Sequence, residues 1–274
     1  MAEATMPLIR KLAHFVALSP DEVMLLRDMQ SGRQVVRRHR EIVTEGRKYD
    51  ALFVLFEGFA IRYRILHNGG RQILNIALPG DFIGFPGCFF ESALYSATAL
   101  TDTVISPIPY SRLIFLFDCH PRLATKIFWS FACEAAMYAE HLIDVGRRSA
   151  LERVAHFLLE LHARLQMMIG LADEESYPMP LTQELISDAL GLSVPHVNRT
   201  LRQLREDQLL VIEDQRVIIK DIEALSALAG FEQGYLRRFR IPEALQPGEP
   251  GKSRGADGSP SVPGDGDPAA LAGG

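Results

Sequence analysis

The sequence predicts an α+β chain in three parts: an antiparallel β-roll, one long heptad helix and a winged helix-turn-helix. Three observations carry this. Short β-branched and aromatic runs cut by glycine turns fill the region before Pro109. A four-three apolar repeat runs from Pro121 to Gly146. A helix–glycine–helix pattern spans residues 181–205.

The roll is read from residues 51–56, 59–66 and 72–78, which are rich in Ile, Val, Leu, Phe and Tyr. Such residues suit a pleated, half-buried surface, so these runs are predicted strands. Between them stand Gly46, Gly58, Asn68-Gly69-Gly70, Pro79-Gly80-Asp81 and Gly84. These residues supply turn geometry that a strand interior does not tolerate. Short strands at this spacing form a small antiparallel barrel or roll.

After Pro109 the apolar period changes from two to about 3.6. Ala124, Phe128, Phe131, Ala135, Tyr138, Leu142 and Val145 recur at alternating steps of four and three, starting just after Pro121 and ending at Gly146. That is a heptad seam, and the small Ala135 between Phe131 and Tyr138 suits contact between two parallel helices. The alternative is a single amphipathic helix packed on its own β domain. A second helix, about residues 149–168, places Val154, Phe157, Leu158, Leu161 and Leu165 on one face.

Residues 181–205 read as two helices around a tight turn. Thr182 caps the first, Glu184 lies in its first turn, and Leu185, Ala189 and Leu190 form its apolar face. Gly191 ends it in a left-handed turn, Ser193 caps the second helix, and Pro195 falls in the first turn, where a missing N–H costs least. Val197, Leu201 and Leu204 face inward. The other face carries Val194, His196, Asn198, Arg199, Arg202 and Arg205, with no acid up to Arg205. A helix has the diameter of a DNA major groove, so this basic face is the predicted nucleic-acid surface. Residues 209–212 and 217–219, around Glu213-Asp214-Gln215-Arg216, alternate as a two-stranded wing.

The 274 residues, 47% hydrophobic, are enough for two domains. A net charge of −5 argues against a generally basic nucleic-acid binder, so the local charge of the second helix must carry the case. Apolar stretches are broken by charges well before the ~18 to 20 residues of a membrane span. Residues 1–11 lack the apolar core of a secretory signal, and a cytoplasmic location is expected. Cys88, Cys119 and Cys133 have neither disulfide nor metal-ligand spacing and are expected to be buried hydrophobes. Residues 242–274 hold six prolines and eight glycines and are expected to be disordered.

Together, Glu45-Gly46, Glu57-Gly58, Pro79-Gly80-Asp81-Phe82-Ile83-Gly84 and the helix-turn-helix resemble the Crp/Fnr family of transcription regulators over about residues 8–230. The resemblance implies a cyclic-nucleotide-binding-like β-roll (a double-stranded jelly roll), a dimerisation helix and a winged helix reading a palindromic operator. It places the roll at 1–118, the dimer helix at 119–146, the DNA-binding domain at 147–225 and an extension at 226–274. The implied partners are double-stranded DNA, a second copy of the chain and RNA polymerase. Thr182, Ser193, Val194, Pro195, His196, Asn198, Arg199, Arg202 and Arg205 fall on the DNA-binding positions. Arg199 matches the arginine that reads a guanine edge, and Phe128, Phe131, Ala135, Tyr138 and Leu142 form the dimer seam. The family often has a glutamate where Pro195 stands, so the operator sequence is not implied.

The effector pocket implied by the resemblance is Gly84, Phe85, Tyr95 and Ser96. Cyclic-nucleotide binders of the family carry a glutamate and an arginine where this chain has Phe85 and Tyr95. An anionic ligand therefore loses its charge partner, and cyclic AMP is not expected to be the effector. Iron–sulfur sensors need four cysteines, and this chain has three, none before Cys88. His39 and His67 are the nominal haem ligands, but a lone strand histidine is more often a surface residue. No cofactor is expected, and an apolar or small ligand, or control by abundance alone, remains. A cupin-like metal enzyme would need a His-x-His pair, absent here, and a regulatory subunit without DNA function would leave the helix-turn-helix unexplained. An enzyme is not expected.

Overall fold

A computed structural model describes residues 6–169 and 176–237. The proline- and glycine-rich stretch from 242 lies outside the described residues. Two helices without an assignment from sequence come first, α1 (Pro7–Phe15) and α2 (Pro20–Met29). The second begins in a capping box, with Ser19 Oγ accepting from the Glu22 N–H and the Glu22 carboxylate accepting from the Ser19 N–H. Leu8, Leu12, Leu26 and Met29 from this pair pack on Leu52, Val54 and Phe82 of the roll.

The roll comprises β1 (Gln34–Val36), β2 (Glu41–Val43), β3 (Ala51–Glu57), β4 (Ala60–Ile65), β5 (Arg71–Ala77), β6 (Phe82–Ile83), β7 (Ser96–Ala99) and β8 (Thr103–Pro109). They form two four-stranded antiparallel sheets, ordered β1-β8-β3-β6 and β2-β7-β4-β5. Val43, Ala60, Ala77 and Ala97 from one sheet meet Leu55, Ile83 and Ile105 from the other in a shared core. The predicted strands at 51–56, 59–66 and 72–78 are thus β3, β4 and β5. Gly58 has φ +88°, and a Cβ there would lie 2.6–2.7 Å from Thr101 and Asp102. The close approach lets the Phe59 N–H reach Thr101 Oγ1 at 3.0 Å. A single 3-10 turn, Gly87–Phe89, follows Gly84.

Next come α3 (Tyr110–Cys119), α4 (Pro121–Arg147) and α5 (Ala150–Ile169). At ~1.5 Å per residue, α4 is about 40 Å long. It has two apolar faces. Leu123, Ile127, Cys133 and Met137 are buried within the protomer, whereas Phe128, Leu142 and Val145 are exposed. The single-helix alternative therefore accounts for one face and leaves the other uncovered. Three of the residues read as seam depart from it, among them Tyr138, half-buried with its hydroxyl bonded to Arg62 of the roll. Ala124 is buried in the protomer's own core, and Phe131 is half-buried, its ring stacked on Phe85 at 3.7 Å. All three lie where α4 crosses the roll, and the roll reaches them first.

The remainder is β9 (Ser176–Pro178), α6 (Gln183–Leu190), α7 (Val194–Glu206), β10 (Leu210–Glu213), β11 (Arg216–Ile219), α8 (Ile222–Ala229) and α9 (Gly234–Arg237). The wing has three strands rather than two, in the order β10-β11-β9. Asp214 and Gln215 turn its hairpin with φ of +49° and +58°, the left-handed pair that matches strand twist. Tyr177 of β9 is fully buried and donates to the Leu158 carbonyl of α5 at 2.7 Å. No described helix is long and apolar enough to cross a membrane.

Candidate DNA-binding surface

Helices α6 and α7 are set by the turn between them. Thr182 Oγ1 accepts from the Leu185 N–H at 3.2 Å, capping α6. Gly191, at φ +64°, closes α6 in the left-handed conformation. Ser193 stands at the N-cap of α7, but its side chain makes no capping hydrogen bond. Its carbonyl instead accepts from the His196 and Val197 N–H groups. With Pro195 removing one of the orphan donors, the hydroxyl cap is dispensable.

Val197, Thr200 and Leu204 of α7 are buried against Ile186 and Leu190 of α6. Leu201, expected inside, is half-buried at the wing, and Ile186 takes the central place assigned to Leu185 and Ala189. The i, i+4 rule would have found Ile186 as the partner of Leu190. Val194, Pro195, His196, Asn198, Arg199, Arg202 and Arg205 are all exposed.

That exposed face has two parts. Asn198, Arg202 and Arg205 line an open cleft between α7 and the wing, with Gln183, Leu210 and Ile212 on its other walls. Pro195, His196 and Arg199 lie outside it. Asn198 Nδ2 donates to Gln183 Oε1 at 3.1 Å, a partner that the sequence did not suggest. Arg202 pairs with Glu206 at 2.7 Å, one turn further along the same helix. Among the described residues, the Arg199 guanidinium has no ion-pair partner.

The roll holds α6 directly. Arg71 of β5 pairs with Asp188 at 2.7 Å, and Gln72 Nε2 donates to the Ala189 carbonyl at 3.3 Å. Arg153 of α5 donates to the Leu190 carbonyl at 2.8 Å, so cations and amides satisfy the last carbonyls of α6.

The four effector-pocket candidates are bonded to protein groups. Tyr95 Oη accepts from the Gly84 N–H at 2.7 Å and donates to the Phe85 carbonyl at 3.0 Å. Ser96 Oγ accepts from the Glu45 N–H at 3.0 Å, while the Phe85 ring stacks on Phe131. Arg62, which sequence reasoning passed over, brings a buried guanidinium to within 5.7 Å of the Tyr95 ring. In the strand Ala-Ile-Arg-Tyr-Arg-Ile two arginines stand two residues apart, and nothing local marks the first as inward. Cys119 is exposed and Cys133 buried, while the Cys88 side chain lies outside what is described. Among the described residues there is no group of three or more His, Cys, Asp and Glu able to hold a metal.

Roll, long helix and winged helix together define a helix-turn-helix regulator with a cyclic-nucleotide-binding type sensor fold. The family model of the cyclic nucleotide-binding domain matches residues 33–120, and that of the Crp-like helix-turn-helix domain matches 152–228. The transcriptional activatory protein AadR of Rhodopseudomonas palustris is 32% identical over 189 residues, covering 69% of this chain and 77% of that protein. The nitrogen fixation regulation protein FixK of Bradyrhizobium diazoefficiens is 32% identical over 180 residues, 65% of this chain and 74% of that one. The structure of FixK2 from Bradyrhizobium japonicum superposes with a TM-score of 0.66 at 28% identity, covering 73% of this chain and 98% of that one. The chain belongs to the Crp/Fnr family of transcription regulators, which are not enzymes.

Proposed function

We propose that the chain acts as a homodimer through α4 and reads an inverted-repeat operator with two copies of α7, without cyclic AMP. The observation that carries this is α7 itself: it buries Val197, Thr200 and Leu204 while leaving His196, Asn198 and Arg199 open to a groove. Related helix-turn-helix dimers read half-sites about one helical turn apart, roughly 34 Å. Arg199, unpaired, is assigned to a guanine edge, and its bidentate contact discriminates by about 1 to 3 kcal/mol. His196 and Asn198 take neighbouring bases, and Val194 and Pro195 can meet a thymine methyl. Arg202, Arg205, Thr182 and Ser193 contact the backbone. The dimer seam is Phe128, Ala135 and Leu142, with Phe131 and Tyr138 behind it.

The effector reading is supported by the Gly84, Phe85, Tyr95 and Ser96 side-chain and backbone groups being bonded to one another or to Glu45. RNA polymerase is proposed as the further partner in the cytoplasm, and the roll, helix and DNA-binding parts are assigned to about 1–118, 119–146 and 147–225, the last continuing through α8. Selection of binding sites from random duplexes tests the proposal. The selected consensus should be an inverted repeat, bound equally with and without cyclic AMP. Arg199→Ala should relax preference at one base pair per half-site. A selection that yields no symmetric consensus refutes the dimeric reading, and nucleotide-dependent binding refutes the effector reading.

A further inference from the structure

One buried charge joins the roll to the long helix. Arg62 of β4 is 1% exposed, next to the buried Ile61, whereas Arg64 on the same strand lies at the surface. Its Nη2 donates to the Phe82 carbonyl and its Nη1 donates to Tyr138 Oη of α4 at 3.2 Å. Nη1 also pairs with the carboxylate of Glu134 on α4. The Tyr138 hydroxyl donates onward to that same carboxylate at 3.1 Å. The Tyr95 ring, whose hydroxyl bridges Gly84 and Phe85, lies beside the guanidinium.

Stability alone does not account for this arrangement. A buried ion pair is often no more stabilising than apolar side chains of the same volume. Here the Arg62 Nε–H is buried and left without a hydrogen-bond partner, which adds to the cost. What a planar guanidinium fork offers, and apolar packing does not, is direction: one Nη group points at a strand carbonyl and the other at two helix side chains. That fixes how far along α4, and at what rotation, the roll grips the helix.

We infer that Arg62, Glu134 and Tyr138 are positioning residues forming an internal effector: Glu134 supplies the anion, and the ion pair sets α4 against the roll so that DNA binding needs no ligand. This rests on the effector-independent reading above and gives it a mechanism. The Glu134 carboxylate lies against Arg62 and is tethered to α4, so within this inference the anion beside the guanidinium is always present. The helix position is therefore set on folding.

The experiment uses the full-length chain and the duplex obtained by site selection. In the double variant Arg62→Met/Glu134→Met the charge is removed as a unit and the volume kept. It should fold and dimerise as the wild type does, with an unchanged or higher thermal midpoint, yet bind the duplex at least tenfold more weakly. A merely structural pair would move stability and leave the affinity of the folded dimer alone. Binding within twofold of wild type by the folded double variant overturns the inference.

Glu134→Ala provides a second measurement should the double variant not fold. Its weakened DNA binding should be restored by sodium acetate but not by sodium chloride at the same ionic strength, because acetate refills the anion position. Equal behaviour in the two salts overturns the inference. Wild-type binding with and without cyclic AMP is measured alongside. A nucleotide requirement there sinks effector independence itself, whatever the variants do.

Discussion

Leu142→Ala gives the sharpest test of the α4 seam. Leu142 is 76% exposed in the protomer, so its replacement leaves the protomer's own core intact. Full burial of a leucine is worth ~1.5 to 3 kcal/mol. Three-quarters of that is still available to a partner helix in each of two copies, and alanine keeps only a minor part of it. The dimer should therefore lose about 2 to 3 kcal/mol, roughly 30- to 150-fold in its dissociation constant. Sedimentation equilibrium over a wide range of protein concentration measures this directly. Ile114→Ala is the control, since Ile114 is 61% exposed but lies on α3, off the repeat. Phe131 is unsuitable: it stacks on Phe85, and a charge there would damage the roll before any dimer was tested. An unchanged dissociation constant for Leu142→Ala, or an equal loss in Ile114→Ala, would show that the exposed stripe is not the interface.

Three further outcomes are expected. Burial would raise the Asp81 carboxyl, but Lys11, Arg164 and Arg62 together outweigh it and hold it well below the ordinary 3.8, so its stabilising contribution is present above that pH and lost on acidification. Asp81→Asn leaves Lys11 buried without its anion and Arg164 with only the longer contact to Glu160; it should cost about 3 to 5 kcal/mol in urea unfolding and flatten the acid limb of the stability curve. Burial lowers the His141 pKa and Glu160 raises it, with a net rise above 6.5; its stabilisation is full below 6.5 and lost as pH climbs through the raised value. Thermal midpoints measured upward from pH 6 should fall in wild type and lose that component in His141→Gln. Burial pushes the Cys133 thiol up to about 11, whereas Cys119 is exposed. In a Cys88→Ser background, a thiol reagent at neutral pH should modify Cys119 and reach Cys133 only after denaturation, as mass spectrometry would show.

Most of the architecture was legible because its signals are local. Alternation and glycine turns gave β3, β4 and β5, and the α6–Gly191–α7 unit follows from capping and turn chemistry within a few residues of each other. What was missed depends on distant partners. Strand β9 is three residues, Ser-Tyr-Pro, too short for any period, and it exists because β11 pairs with it through Val217 and Tyr177. The two faces of α4 could not be apportioned from a repeat alone, since both are apolar and only the roll's position decides which is covered. Nor does the sequence separate the two arginines of β4: Arg64 reaches Glu45 at the surface and Arg62 points inward to Glu134, with a register shift between Arg62 and Tyr63. Glu206, one residue past the acid-free run, ties up Arg202 and would have been found by extending the i, i+4 search.

The largest apolar cluster does not stop where one matched family ends and the other begins. Ile73 and Ile76 of the roll, Leu158 and Leu161 of α5, Val197 and Leu204 of α7 and Ile219 of the wing belong to a single buried group. Sensor and reader are therefore coupled through shared side chains rather than through a tether, and they should melt in one calorimetric transition. Grafting the winged helix of a relative onto this roll would set a foreign surface against Ile73 and Ile76. The residues to exchange with it are those of β5 and α5, without which the chimera would carry a seam of voids through the middle of its core.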